Sequence, residues 1–229
     1  VRENNEDSWR SSLEDSLFVV ADGLGGHQAG EVAAKEAMDC FFTTFEKVFH
    51  HDAPLVEDAV IEGLQTCFEV TNDHVYKLSC THELLRGMGT TICALMVREN
   101  QAYVSHIGDS RVYRFRDGSL EQLTKDHCWT RGLFSRKNAV GQMSKGVLTR
   151  ALGTMPTVEP TIKVTDVKPK DLYLLCSDGL SDMVTNAEIE SAFKEPMTVG
   201  ERVRMLIRLA KNNGGGDNVT VIVVEVLDG

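Results

Sequence analysis

Apolar positions along the chain follow two periods, and the switches between them outline the fold. Leu17 to Ala21 (LFVVA) is a continuous apolar run that stops at Asp22 and a turn rich in glycine, Gly23, Gly25 and Gly26. A short apolar run bounded by turn residues suits a strand buried on both faces. From Ala29 to Phe49 the spacing changes. Val32, Ala33, Ala37, Phe41, Phe45 and Val48 recur at three- and four-residue steps, the stripe of an amphipathic helix. Pro54 suits the first turn of a second helix running to about Leu78, with Val56, Val60, Leu64, Cys67 and Val70 on one face. Residues 79–88 are polar and read as a loop.

Three strand-like runs follow closely: Thr90–Val97, Ala102–Ile107 and Arg111–Arg116. Links as short as Arg98–Gln101 and Gly108-Asp109-Ser110 predict antiparallel neighbours, because parallel ones need a long crossover. Asp117-Gly118 turns the chain toward Leu120–Leu123, completing a β-meander. Lys125 to Leu152 has no clear period, which marks a functional flap. Asp171–Ser177 (DLYLLCS) is the next buried strand and ends at Asp178-Gly179. Two helices open on capping boxes, Thr185 with Glu188 and Thr198 with Glu201; the second turns Val203, Leu206, Ile207 and Ala210 inward. Asp217-Asn218 opens a last strand, Val219–Val226. Residues 1–10, taken alone, read as a solvated polar terminus. With neither repeat nor linker, residues 1–229 are expected to form one domain.

Composition narrows the function. The net charge of −10 argues against a nucleic-acid surface. No stretch approaches the roughly 20 apolar residues of a membrane span. The start, VRENNEDSW, lacks the basic and apolar parts of a signal peptide, and a chain beginning at Val1 need not begin where the protein does. Six scattered cysteines (Cys40, Cys67, Cys80, Cys93, Cys128, Cys176) without a Cys-x-x-Cys pair read as small buried hydrophobes in a reducing, cytoplasmic setting.

Several familiar chemistries fail on spacing. The glycines after Asp22 lack the third glycine of a dinucleotide fingerprint, and Gly25–Gly30 is followed by Glu31-Val32 where a P-loop needs Lys and Ser/Thr. Ser110 has Val112 where a nucleophile elbow needs glycine. A thiol nucleophile wants an electropositive setting, and Cys176 is followed closely by Asp178. What remains is a series of acids at strand ends: Asp22, Asp109, Asp178 and Asp217. One Asp-Gly turn is commonplace. Four in one chain would repel severely on converging unless cations lay between them. An all-oxygen, carboxylate-rich set favours Mg²⁺ or Mn²⁺ over zinc. Two such ions about 4 Å apart activate a water and neutralise a phosphoryl oxygen. Spacing alone does not establish that the acids converge.

The ordered set RENNEDSW, VADGLGGHQAGEVAA, MGTTICALMV, AYVSHIGDSRVYRFRDG, LTRALG, LLCSDGLSDMV and GGGDNVTVIVVE resembles the bacterial branch of the metal-dependent protein serine/threonine phosphatases, type 2C or PPM. The resemblance implies an α+β fold, a four-layer α-β-β-α sandwich of two antiparallel sheets flanked by helices. It implies two Mn²⁺ or Mg²⁺ ions and a third, weaker site. Asp22 would bridge two of them, with the Gly23 carbonyl completing one shell and Asp178 and Asp217 holding the other ion. Glu6 and Asp7 match the acidic pair at the second metal, and Asp109 with Asp178 a third site. Arg2 matches the arginine that grips the substrate phosphate, as a guanidinium can do bidentately. His27 would protonate the leaving alkoxide, orient waters or pack. The implied reaction is hydrolysis of phosphoserine or phosphothreonine in proteins by in-line attack of a metal-bridging hydroxide. Implied partners are phosphoproteins and a bacterial Ser/Thr kinase, with the chain a monomer. Two other readings stay open: a non-catalytic binding module of the same fold, and a phosphatase domain from a larger signalling protein.

Overall fold

The computed structural model describes residues 4–25, 28–49, 56–129 and 147–227. Arg2 and His27 lie outside the described residues, as does the centre of the 125–152 segment.

Strand β1 (Asp7–Ser12) pairs antiparallel with β2 (Leu17–Leu24), so the polar start is an edge strand and not a solvated tail. Its Arg10 and Ser11 can face water because the partner strand, buried on both sides, supplies the apolar surface. Beyond β2 come the short β3 (Gly89–Thr90), β4 (Ile92–Arg98) and β5 (Gln101–Ile107). A strand missed from the sequence, β10 (Thr161–Asp166), closes the far edge, giving the order β1-β2-β4-β5-β10 with β3 beside β2. Its half-polar alternation, TIKVTD, is too weak a signal to separate it from loop.

The second sheet runs β12 (Val221–Glu225), β11 (Leu172–Cys176), β6 (Arg111–Arg116) and β7 (Ser119–Gln122). Strands β5 and β6, joined by three residues, therefore lie in different sheets, against the expected meander of neighbours. The turn at Gly108 explains the difference. Its φ of +102° is open to glycine, and a Cβ there would fall 2.5 Å from Thr91 Cγ2. The chain bends out of one sheet and into the next. A two-strand piece, β8 (Cys128–Trp129) with β9 (Val147–Leu148), stands at the root of the segment expected to be a flap.

Helices cover both outer faces. Helix α1 (Gln28–Phe49) and α2 (Glu57–Thr81) pack Ala33, Ala37, Phe41, Phe45, Leu64, Cys67 and Phe68 onto Leu17, Val19, Ala94 and Ile107. Val70 is 43% exposed, and Thr71 and Asn72 are buried in its stead. At about 100° per residue Val70 falls on the flank of the stripe set by Val60, Leu64 and Cys67. On the other face α3 (Asp178–Ser181), α4 (Asn186–Lys194) and α5 (Val199–Asn212) pack Leu180, Ile189, Phe193, Leu206 and Ala210 onto Tyr113, Leu174 and Val223. Both expected capping boxes form. Val203 and Ile207 are only half-buried; buried Arg202 takes a place on that face, donating to the Ala192 and Phe193 carbonyls at the end of α4. Between the sheets lie Phe18, Val20, Cys93, Leu95, Ala102, Val104, Val112, Tyr173 and Leu175. The arrangement is the α-β-β-α sandwich that the resemblance implied.

Candidate metal centre

Strand parity aims the acids. On β2, Leu17, Val19 and Ala21 face the helices while Phe18 and Val20 face the other sheet. Asp22 continues that second set, so its carboxylate points to the seam where the sheets meet. Register then places Asp7 directly opposite Asp22. Like charges facing each other across a strand pair repel. From the second sheet, β11 leads through Ser177 to Asp178 at the start of α3, and Asp217-Asn218 lead into β12. Asp109 arrives on the link between the sheets.

A frame of neutral hydrogen bonds holds these acids. Ser177 Oγ donates to Asp7 Oδ2 at 2.8 Å and accepts from the Thr220 N–H at 3.1 Å. Asn218 accepts from the Glu6 N–H and donates to the Asn4 carbonyl, both at 3.1 Å, tying β1 to the opposite sheet. The Asp22 N–H donates to Thr91 Oγ1 at 3.1 Å, and the Asp22 carbonyl accepts from Thr90 Oγ1 and the Thr91 N–H. Thr91 Oγ1 also lies 2.6 Å from Ser110 Oγ. Gly23 and Gly30 let β2 and α1 touch: a Cβ on Gly23 would overlap the Gly30 carbonyl and lie 2.7 Å from the Glu6 oxygen. The Glu6 carboxyl packs against Gly30 in the same way. Ser177, Asn218, Thr90 and Thr91 escaped the sequence reading, although the first two sit beside acids in SDG and DN, where they were open to notice.

The electrostatics point to a cation. Burial, then Asp178, Asp7 and Asp217, raises the Asp22 carboxyl well above the usual range. Burial followed by Asp178 and Asp217 raises Asp7 against the lowering bonds from Thr220 and Ser177. Asp109 moves from 3.8 to about 6 through burial, then Asp178 and Asp126. Charges acting most strongly on these three groups are all carboxylates. Burial and the facing carboxylates together favour the protonated form of Asp22. A divalent cation in that place would replace the proton and remove the repulsion together. The donors are all oxygens, which fits Mg²⁺ or Mn²⁺. Among the described residues no three His, Cys, Asp or Glu side chains already close on one point. Hard cations that keep several waters need fewer protein ligands than that.

So Asp7, Asp22, Asp109, Asp178 and Asp217, expected as one set, lie within electrostatic reach of one another at one edge of the sandwich, with Glu6 and Gly23 beside them. Residues 2–212 match the model of the family described as protein phosphatase 2C. The chain belongs to that family. It is 33% identical to the serine/threonine phosphatase stp of Listeria innocua, across 98% of this chain and 91% of that protein. Against the serine/threonine protein phosphatase PstP of Mycobacterium tuberculosis it is 37% identical, across all of this chain and 43% of that longer protein. Its fold matches the catalytic domain of PstP in complex with two manganese ions, with a TM-score of 0.84, 37% identity, and 100% and 94% of the two chains covered. A member of the phosphatase 2C family is a hydrolase acting on phosphoserine and phosphothreonine in proteins and depends on Mn²⁺ or Mg²⁺. This chain is therefore an enzyme of that class, from the bacterial branch.

Proposed function

We propose that Asp22, Asp178 and Asp217, with the Gly23 carbonyl, hold two divalent cations for phosphoester hydrolysis, with Glu6 and Asp7 at the second and Asp109 at a third. The meeting of Asp7 and Asp22 from one sheet with Asp178 and Asp217 from the other carries this reading. Mn²⁺ or Mg²⁺ bound there would acidify a water and neutralise the phosphoryl oxygens. The chain's own part is to hold acids in a fixed frame. Ser177 and Asn218 keep β1 against the second sheet, and Thr90 and Thr91 fix the backbone on both sides of Asp22, so the acids need little rearrangement when charge develops. Arg2 gripping the phosphate and His27 protonating the leaving alkoxide complete the reading from the resemblance alone.

The substrates are phosphoproteins made by a bacterial Ser/Thr kinase, and residues 1–229 act as one catalytic domain whose 125–152 segment discriminates among them. A monomer in the cytoplasm is in keeping with six free cysteines and with large exposed apolar residues such as Trp9, Leu84, Trp129 and Met155 that belong to separate parts of the chain. No helix among the described residues is long and apolar enough to cross a membrane. The deciding assay is phosphate release from a phosphothreonine peptide with Mn²⁺, with Mg²⁺ and with EDTA. Turnover that needs the metal and disappears in Asp178→Asn is the expected result. A folded protein with no turnover under either metal would instead be the binding module.

A further inference from the structure

His127 stands beside the acid cluster, at the root of the 125–152 segment, where several stretches of chain meet. Its backbone N–H donates to the Gly108 carbonyl at 2.9 Å, and its ring Nδ1 accepts from the Gly108 N–H at 3.3 Å. Ring Nε2 lies 2.9 Å from Thr161 Oγ1 on β10, and the His127 carbonyl accepts from the Thr149 N–H. The ring stacks on His106 of β5, with centroids 4.5 Å apart and planes inclined by 17°. His106 in turn bonds the Lys125 carbonyl at 2.8 Å.

These contacts fix the form of the ring. A nitrogen that accepts from a peptide N–H carries no proton, so the single ring proton is on Nε2 and is donated to Thr161. Burial, His106 and Arg150 favour this neutral form, pushing the ring down to about 4. The residue it grips, Gly108, has no side chain of its own to anchor it. It sits at positive φ and opens the three-residue link that carries Asp109 from sheet to sheet.

We infer that His127 is a positioning residue, which brackets the N–H and the carbonyl of Gly108 and thereby sets the direction in which Asp109 presents its carboxylate. This rests on the reading of Asp109 as an acid of the metal centre. His127 acts through Gly108, and its effect is felt in metal binding. Two substitutions separate its bonds. In His127→Asn the amide oxygen takes the place of Nδ1 and keeps the Gly108 bond. In His127→Gln the amide nitrogen takes the place of Nε2 and keeps only the Thr161 bond.

The test measures amide hydrogen exchange at Gly108 by NMR and Mn²⁺ binding by calorimetry, on the whole chain, for both variants and for Asp109→Asn. Losing one backbone hydrogen bond of this kind is worth about tenfold. His127→Gln is expected to exchange Gly108 about tenfold faster and to weaken the weakest Mn²⁺ site by about as much, with kcat on a small aryl phosphate at saturating Mn²⁺ within about twofold of the parent. His127→Asn should retain slow exchange and parental Mn²⁺ binding. Equal behaviour of the two variants, or unchanged exchange in His127→Gln, overturns the inference. Unchanged Mn²⁺ binding in Asp109→Asn overturns the metal role of Asp109 and leaves the exchange result to judge the clamp. If His127→Gln fails to fold, Thr161→Val serves, because it removes the acceptor that holds the tautomer. Gly108 exchange in Thr161→Val should rise, and an unchanged rate again overturns the clamp.

Discussion

Gly23→Ala puts one methyl group where the proposed metal centre has no room. An ideal Cβ would lie 2.5 Å from the Gly30 carbonyl carbon and 2.7 Å from the Glu6 carbonyl oxygen, and nearer still to the Gly30 oxygen. Ordinary contact needs about 3.5 Å. Both neighbours are backbone, so no rotamer change relieves the overlap. The start of α1 or the Glu6 segment has to move by about 1 Å. Overpacking of this kind costs about 1–3 kcal/mol, and displacement of main chain on two sides places it near the top of the range. Restricting the unfolded chain returns about 0.5–1 kcal/mol. The net of about 2 kcal/mol corresponds, for a chain of this size, to a Tm lower by about 4–8 °C. The same movement draws Glu6 and Asp7 away from Asp22, so half-maximal activity should need at least about tenfold more Mn²⁺. Thermal melts in EDTA and in Mn²⁺, with an activity titration against Mn²⁺, measure both effects. Gly200→Ala is the control: its nearest contact is the flexible Arg204 side chain at 3.6 Å, and in a helix it should be neutral or slightly stabilising. If Gly23→Ala melts within 1 °C of the parent, roughly the limit of the method, with an unchanged Mn²⁺ response, the close approach of β2 and α1 is not what shapes the site.

Other outcomes follow from particular contacts. In EDTA, Asp109→Asn should stabilise the fold at pH 7.5, because a rise from 3.8 to about 6 corresponds to roughly 3 kcal/mol against the charged form. The folded protein holds this proton more tightly than the unfolded chain, so the penalty lies above about pH 6 and fades toward pH 4; urea melts at pH 7.5 and 5 should show the gap between variant and parent narrowing on acidification. Arg202→Met leaves the Ala192 and Phe193 carbonyls without their buried charged donor and should cost about 2–3 kcal/mol in urea unfolding, with Mn²⁺ dependence unchanged. Asn72→Ala removes the amide that accepts from the Gly153 N–H and donates to the Met155 carbonyl; a loss of about 2 kcal/mol and faster proteolysis after residue 150 are expected, and an unaltered digest would count against that tether.

Helices α1, α4 and α5 were legible because their signals are local: apolar steps of three and four residues, and capping boxes that satisfy the first free N–H groups. The buried strands β2, β4, β5 and β11 were legible for the same reason. The apolar edge strand β12 was read, but β1 and β10 were not, since their polar sequences, DSWRSS and TIKVTD, carry little apolar signal and borrow their order from the neighbouring strand. Nor was the path at Gly108-Asp109-Ser110. A three-residue link looks like a hairpin in any sequence, and only the packing of β6 against β11 shows that it joins two sheets.

By itself the sequence determined the acid inventory, the family resemblance and the kind of cation the donors favour, because each depends on residue type and order alone. Tertiary structure decided that Asp7 faces Asp22, that Asp178 and Asp217 come to meet them, and that Ser177, Asn218 and Thr91 hold the frame. It also decided that Asp109 hangs on a turn gripped by His127. Convergence is a property of strand register and sheet packing, set by cores far from the acids in sequence, and no spacing along the chain encodes it directly.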